Sequence, residues 1–272
     1  MGNKTGFFII AALLGSILII SFASAERIVI KGSTTVLPIA QKCAEAYMVD
    51  NPDVKISISG GGSGNGIKAV IDETADIGDS SRFIKDKEVK FAMAKGVYPV
   101  PFRVAYDCIV PIVHSSNNLE NITLEQLRAI YKGAIKNWKD IGGPDRKIVV
   151  ISRDTSSGTY EVWHKKVMKK ERIFPGALLQ ASNGTIVQAV SKNKNALGYI
   201  GIGYLDSSVK ALTVNSIKGS VQTTLSGIFP VSRPLFMFTT GWPKGETLNF
   251  INFVLSPNGQ SLVQSSGYVP LY

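Results

Sequence analysis

Arg27-Ile28-Val29-Ile30, then Gly32-Ser33-Thr34-Thr35, then Ile39, Ala40, Cys43, Ala44, Tyr47 and Met48 at helical spacing is the stretch that decides the fold. A short apolar run feeds a small polar turn, and the turn feeds a helix that Asn51-Pro52 ends. The unit then repeats. Val54–Ser59 reads as a strand, the glycine-rich run at 60–66 as its turn, and Ile67, Val70 and Ile71 as the next helical face. Ala75-Asp76-Ile77-Gly78 is a short strand leading into Asp79-Ser80-Ser81-Arg82. Farther on, the strand at 147–152 runs through Arg153-Asp154-Thr155-Ser156-Ser157-Gly158-Thr159 into a helix marked by Tyr160, Trp163 and Val167. Asn183-Gly184-Thr185 opens a helix carrying Ile186, Val187 and Val190. Thr123 and Gln126 form a capping box. The β-rich stretch 97–113 is expected to be broken by Pro99, Pro101 and Pro111. Strand-like 197–201 and 236–238 and a late helix over 248–255 complete the pattern. Such alternation predicts an α/β fold with largely parallel sheets and ligand loops at the carboxyl ends of the strands.

One loop chemistry recurs in this frame. Gly32-Ser33-Thr34-Thr35, Gly62-Ser63-Gly64-Asn65-Gly66, Ser156-Ser157-Gly158-Thr159 and Asn183-Gly184-Thr185 each precede a helix. Each offers hydroxyls or an amide, with glycine letting the backbone come close. A helix start has unpaired N–H groups and a partial positive charge, so several converging starts would hold an oxyanion largely by neutral donors. Taken singly, each loop is explained by capping, for which Ser, Thr and Asn are the preferred residues. Four together, one preceded by Arg153, favour a shared anion site, with the guanidinium as counter-charge.

Other chemistries fit poorly. Gly66 is followed by Ile67-Lys68-Ala69 instead of a Gly-Lys-Ser/Thr ending, and the sixth position from Gly62 is Ile67, so both nucleotide-binding glycine motifs fail. The two histidines, His114 and His164, lie outside the four loops, and no metal-ligand cluster or cofactor motif appears. A phosphatase or esterase with Ser63 or Ser157 as nucleophile would lack a base beside it. The net charge of +10 comes from scattered lysines without a nucleic-acid motif, and the run 164–172 reads as a solvated helical face.

Lys4, the apolar run from Phe7 to Phe22 and Ala23-Ser24-Ala25 read as an export signal cleaved after Ala25. The run is about 16 residues, short of the roughly 20 that span a bilayer, and no cysteine near the cut offers a lipid anchor. Losing Lys4 takes the exported chain from +10 to +9. Export permits a Cys43–Cys108 disulfide; two buried free thiols are the favoured alternative.

The opening strand with Gly32-Ser33-Thr34-Thr35-Val36-Leu37-Pro38 resembles that of the periplasmic phosphate-binding proteins of ABC transporters. So do the runs at 62–68, 76–82 and 153–159 and Ser232-Arg233-Pro234-Leu235, in order along nearly the whole exported chain. The resemblance implies two α/β lobes joined by two hinge strands, of residues 26–109 with 232–272 and of residues 110–231. It also implies one dehydrated phosphate in the cleft, an ABC permease as partner, a periplasmic monomer and no enzyme activity. By position, Ser33, Thr34, Thr35 and Ser63 would bind from one lobe. Arg153, Ser157, Gly158 and Thr159 would bind from the other, and Asn183 joins them from the loop pattern. Ser81 stands where better-known members carry a carboxylate that accepts a proton from phosphate and so excludes sulfate. This departure, for which Asp79 or Asp154 is a nearby substitute, keeps sulfate, molybdate or a phosphonate open as the ligand. A sensory or adhesive role is also left open.

Overall fold

The computed structural model describes Gly2 and residues 26–272; the export signal and its cleavage after Ala25 lie outside the described residues. Strands and helices alternate along most of the described chain. The strands are β1 (Glu26–Gly32), β2 (Val54–Ser59), β3 (Ile77–Ser80), β4 (Val100–His114), β5 (Asn121–Ile122), β6 (Val149–Arg153), β7 (Leu178–Gln180), β8 (Ala196–Gly201), β9 (Val209–Ala211), β10 (Thr213–Val214) and β11 (Ser232–Thr239). The helices are α1 (Leu37–Asp50), α2 (Ser63–Ile71), α3 (Asp86–Ala94), α4 (Leu124–Tyr131), α5 (Gly158–Lys166), α6 (Asn183–Ser191), α7 (Val221–Leu225), α8 (Gly245–Leu255) and α9 (Pro257–Ser265).

The main sheet runs β2-β1-β3-β11-β4-β8-β6-β7, with β9 also on β4. β1 pairs in parallel with β2 and β3, and β6 in parallel with β7 and β8. The antiparallel pairs all involve β4 or β11. β4 is the spine: its first half pairs with β11 (Val100↔Thr239 to Cys108↔Ser232) and its second with β8 (Ile109↔Gly201 to Val113↔Leu197).

The apolar cores divide at the same place. One, around Trp138, Trp163, Tyr131 and Tyr199, is built from Cys108 to Val231. A second packs α1, α8 and α9 against β1 and β11, and a third lies under α2 and α3. β4 changes partner from β11 to β8 at Cys108–Ile109, just after the chain crosses from the second core to the first, and the chain leaves the first core at Val231–Ser232; there the Ile109 N–H donates to the Val231 carbonyl at 2.9 Å.

Three sequence expectations need correction. The prolines do not break the stretch 97–113: Pro101 and Pro111 lie within the single strand β4, opposite Phe238 and Tyr199. Burial of nearly all of its second half outweighs the missing N–H groups. The lysine-rich run is not one helix, because α5 stops at Lys166 and Lys169 and Lys170 take left-handed φ angles of 51° and 68°. The sequence also passed over α3, whose polar surface gives little apolar stripe: only Ala92 is buried. Cys43 and Cys108 are free, fully buried, and in different cores.

Candidate anion-binding site

Each of the four polar loops follows the carboxyl end of a parallel strand: β1, β2, β6 and β7 lead into α1, α2, α5 and α6. Parallel pairing puts the β1 and β2 ends side by side and the β6 and β7 ends side by side. The long β4 brings the two sets face to face.

At the centre the loops touch. Thr35 Oγ1 is 3.0 Å from Thr159 Oγ1, joining the α1 and α5 starts. Asn183, first residue of α6, donates Nδ2–H to Thr34 Oγ1 at 3.2 Å and to Thr35 Oγ1 at 3.1 Å. The Gly201 N–H donates to Asn183 Oδ1 at 3.3 Å and so fixes which way the amide faces. Ser63 Oγ accepts the Ser81 N–H at 2.9 Å and is 3.2 Å from Ser81 Oγ. Gly158 lies against this pair: a Cβ there would come within 2.3 Å of Ser63 Oγ and 2.7 Å of Ser81 Oγ. Thr34, Thr35, Ser63, Ser81, Gly158, Thr159 and Asn183 thus form one buried hub.

Capping does not account for the first two loops. Neither α1 nor α2 has a side-chain cap, and the residue before α2 is Gly62 at φ 98°. The Thr34, Thr35 and Ser63 hydroxyls are aimed at the hub instead. Two of the sequence candidates serve their own loops: Ser157 Oγ caps α5 by accepting the Tyr160 N–H at 3.2 Å, and Ser33 Oγ closes the turn before α1 by accepting the N–H groups of Thr35 and Val36 at 3.1 and 3.4 Å.

Arg153, the last residue of β6, is 1% exposed. Its Nε donates to the Gln180 carbonyl at 3.0 Å and its Nη2 to that of Ala181 at 2.8 Å, which ties β6 to the α6 loop. Burial holds its guanidinium below the ordinary arginine range, and Asp154 opposes that shift. No hydrogen bond joins it to the hub hydroxyls among the described residues. It faces a cavity of about 240 Å³ shared with Tyr160, His164, Arg172 and Phe174.

The guanidinium at the hub is one that sequence reasoning did not place there. Arg233, from β11, donates Nη2–H to Thr159 Oγ1 at 3.0 Å and Thr35 Oγ1 at 3.2 Å, and Nη1–H to Ser81 Oγ at 3.1 Å. It is anchored by Asp107 of β4, whose Oδ2 accepts Nε–H at 2.9 Å and Nη2–H at 2.7 Å. Oδ1 of Asp107 takes the Ile202 N–H at 3.0 Å. Burial pushes the Asp107 carboxyl upward, against the pull of Arg233. The signal was a lone aspartate in an apolar strand, together with the Ser-Arg-Pro-Leu run. Tyr204 adds a further tie, its hydroxyl donating to the Thr34 carbonyl at 2.6 Å.

Around the hub, the residues implied for the two lobes are pinned together. Arg82 and Lys85 both bind the Glu161 carboxylate, at 3.1 and 2.6 Å. The Gly64 N–H donates to the Ser156 carbonyl at 2.9 Å, and Ser156 Oγ donates to the Gly61 carbonyl at 3.2 Å. The arrangement is a donor-rich, buried meeting point of four helix starts. No group of three or more metal-ligating side chains lies among the described residues.

Residues 21–258 match the model of the PBP superfamily domain. The chain is 34% identical over 257 residues to the phosphate-binding protein PstS of Staphylococcus epidermidis, covering 88% of this chain and 77% of that one. It is 31% identical over 250 residues to the phosphate-binding protein PstS of Bacillus subtilis, covering 91% and 82%. Among solved structures, a Clostridium perfringens protein with bound phosphate superposes with a TM-score of 0.85 at 34% identity, over 91% of this chain and all of that one. An ABC-type phosphate transport receptor from Vibrio cholerae superposes with a TM-score of 0.72 at 33% identity, over 89% of this chain and 99% of that one. The chain belongs to the PBP superfamily, among its phosphate-binding proteins.

Proposed function

We propose that this protein captures inorganic phosphate between two lobes and hands it to an ABC-type permease, acting as a binding protein and not as an enzyme. The lobes are residues 26–109 with 232–272, and residues 110–231. The single observation that carries this reading is the meeting of the α1, α2, α5 and α6 starts at one buried cluster of hydroxyls and amide. Four partial positive ends and an arginine at one point are costly unless an anion joins them. Membership of the phosphate-binding proteins names the anion.

The phosphate ligands we assign are Ser33, Thr34, Thr35, Ser63, Ser81, Arg153, Ser157, Gly158, Thr159 and Asn183. The hub hydroxyls touch each other across the cleft, so phosphate enters by parting the lobes and replaces the Thr35–Thr159 contact. The partner change at Cys108–Ile109 and the exit at Val231–Ser232 are the two places where the chain could bend. Ser33 and Ser157 Oγ accept backbone N–H groups, which leaves each hydroxyl its own proton to give to the ion. Arg153 would turn one terminal nitrogen towards the ion while its other bonds hold β6 to the α6 loop.

We further propose that the protein is exported to the periplasm after cleavage behind Ala25, and works as a monomer without a lipid anchor. No helix among the described residues is long and apolar enough to cross a membrane.

Isothermal titration of the purified protein with phosphate tests the reading. Micromolar binding corresponds to about −8 kcal/mol, which several hydrogen bonds to a charged ligand supply at about 1.5–3 kcal/mol each after association costs. The expected result is one site per chain at micromolar affinity or tighter. Absence of heat at millimolar phosphate would reject it.

A further inference from the structure

We infer that Glu161 is a positioning residue for closure: with Arg82 and Lys85 it forms a charge clasp that is complete only when the two lobes meet, and so sets how tightly and for how long phosphate is held. This rests on the phosphate-capture reading and adds to it three residues outside the hub.

Arg82 and Lys85 lie between β3 and α3, in the lobe of residues 26–109 with 232–272, whereas Glu161 stands in the first turn of α5, in the other lobe. The first lobe builds its half of the clasp by itself. Glu88 accepts Arg82 Nη1–H at 2.8 Å and Nη2–H at 2.6 Å, and the Lys85 backbone N–H at 2.9 Å. The Phe83 carbonyl accepts from Arg82 Nη1 at 2.9 Å. Two cations are thus fixed beside one carboxylate. The second carboxylate comes from across the boundary. Glu161 Oε1 accepts Lys85 Nζ–H at 2.6 Å, and its Oε2 lies 3.1 Å from Arg82 Nε. Charges balance, two against two, only in the closed arrangement.

Burial gives the clasp its weight. The Arg82 side chain is 6% exposed and that of Glu161 18%, against 39% for Lys85. A pair on the open surface is worth little, but a charge this far out of water is costly when a partner is missing. Without the Glu161 charge, closing would bury the Arg82 guanidinium beside one carboxylate instead of two. A cavity of about 520 Å³ runs from these three side chains to Lys165, Lys166 and Arg233, so dissolved salt still reaches the contact and weakens it. Glu161 also follows Thr159 closely on α5, and Thr159 belongs to the hub. By charge alone, a carboxylate there repels phosphate, and removing it should tighten binding. As part of a clasp it does the opposite. The sign of the effect separates the two roles.

The test is isothermal titration with phosphate, and stopped-flow release of phosphate, on the wild type, Glu161→Gln, Lys85→Met and the double variant. Glu161→Gln should weaken phosphate binding about tenfold, mainly through faster release, with the phosphate-free melting temperature near the wild-type value. Added salt should weaken binding less in Glu161→Gln than in the wild type, because the screened contact is already gone. Lys85→Met should weaken binding in the wild-type background and change it little in the Glu161→Gln background. Unchanged or tighter phosphate binding in Glu161→Gln overturns the clasp while leaving phosphate capture intact. So does an equal cost of Lys85→Met in both backgrounds. A loss of affinity that comes only with a large fall in phosphate-free melting temperature marks Glu161 as structural and also overturns it. Lys85 is the most exposed of the three, so Lys85→Met supplies a folded variant in which an unchanged release rate would equally contradict the clasp. Absence of phosphate binding by the wild type overturns both the clasp and phosphate capture.

Discussion

Thr35 and Thr159, 124 residues apart in sequence, bring their hydroxyl oxygens to 3.0 Å at the meeting of the α1 and α5 starts. One threonine follows β1 and the other follows β6, so the contact joins the two parallel halves of the sheet. The sequence could only suggest that the two loops share a chemistry.

Thr159→Val removes a hydroxyl while nearly keeping shape. It deletes a donor to the ion and an acceptor for Arg233 Nη2. Phosphate affinity should fall about tenfold or more, read by calorimetry. An unchanged affinity would remove the α5 start from the site.

Gly158→Ala separates closing from folding. Alanine suits a helix better than glycine, so the α5 start itself should tolerate it. Its methyl would stand 2.3 Å from Ser63 Oγ and 2.7 Å from Ser81 Oγ across the cleft. Phosphate binding should be lost at a near-normal melting temperature, and small-angle scattering should show a larger particle. Full affinity in this variant would mean that the two loops do not meet when ligand binds.

Arg233→Met leaves Asp107 buried without its partner, a loss of about 3–5 kcal/mol for a buried pair. Asp107→Leu combined with Arg233→Met should recover much of that stability but none of the anion affinity. Denaturant unfolding and phosphate titration on the two variants check this. Recovery of affinity in the double variant would show that the guanidinium contributes only to folding.

Asp79 is fully buried and its Oδ1 has no hydrogen-bond partner, so burial raises its carboxyl well above the usual carboxylate range. Because the folded value lies above the unfolded one, the group favours folding while protonated. That contribution is lost as pH rises through the folded value. Asp79→Asn should therefore be more stable than wild type at neutral and alkaline pH. The gain should shrink as pH falls into the ordinary carboxylate range. A gain that does not vary with pH would contradict the assignment.

Burial pushes both the Cys43 and Cys108 thiols up to about 12. In the native protein neither should react with a thiol reagent at neutral pH, and both should react after unfolding. A native protein with no titratable thiol even after denaturation would instead indicate a disulfide.

Much of the fold is legible because the apolar spacing changes from strand to helix at each polar loop, and Gly, Ser and Thr mark the joins. The loops' shared destination follows from the alternation, since parallel strands end on the same side. What could not be read is long-range. Arg233 sits beside Pro234 in a run that looks like an ordinary strand, and its role appears only when β11 lies next to β4. Asp107 is a lone carboxylate in an apolar strand, and nothing local to it names the arginine 126 residues away. Arg153 shows the reverse case: the sequence marks it as the ion's counter-charge, while the fold also uses it to bind the carbonyls of Gln180 and Ala181. Local chemistry is written in each loop, but which arginine meets which hydroxyl depends on sheet order.

A crystal structure of the protein grown with phosphate tests the central claim most directly. The account predicts one tetrahedral ion within hydrogen-bond distance of Thr34, Thr35, Ser63 and Thr159 at once, taking the place of the Thr35–Thr159 contact. An ion held by one lobe alone, or lodged in the cavity of Arg153, His164 and Arg172 with the hub hydroxyls still bonded to each other, would contradict it.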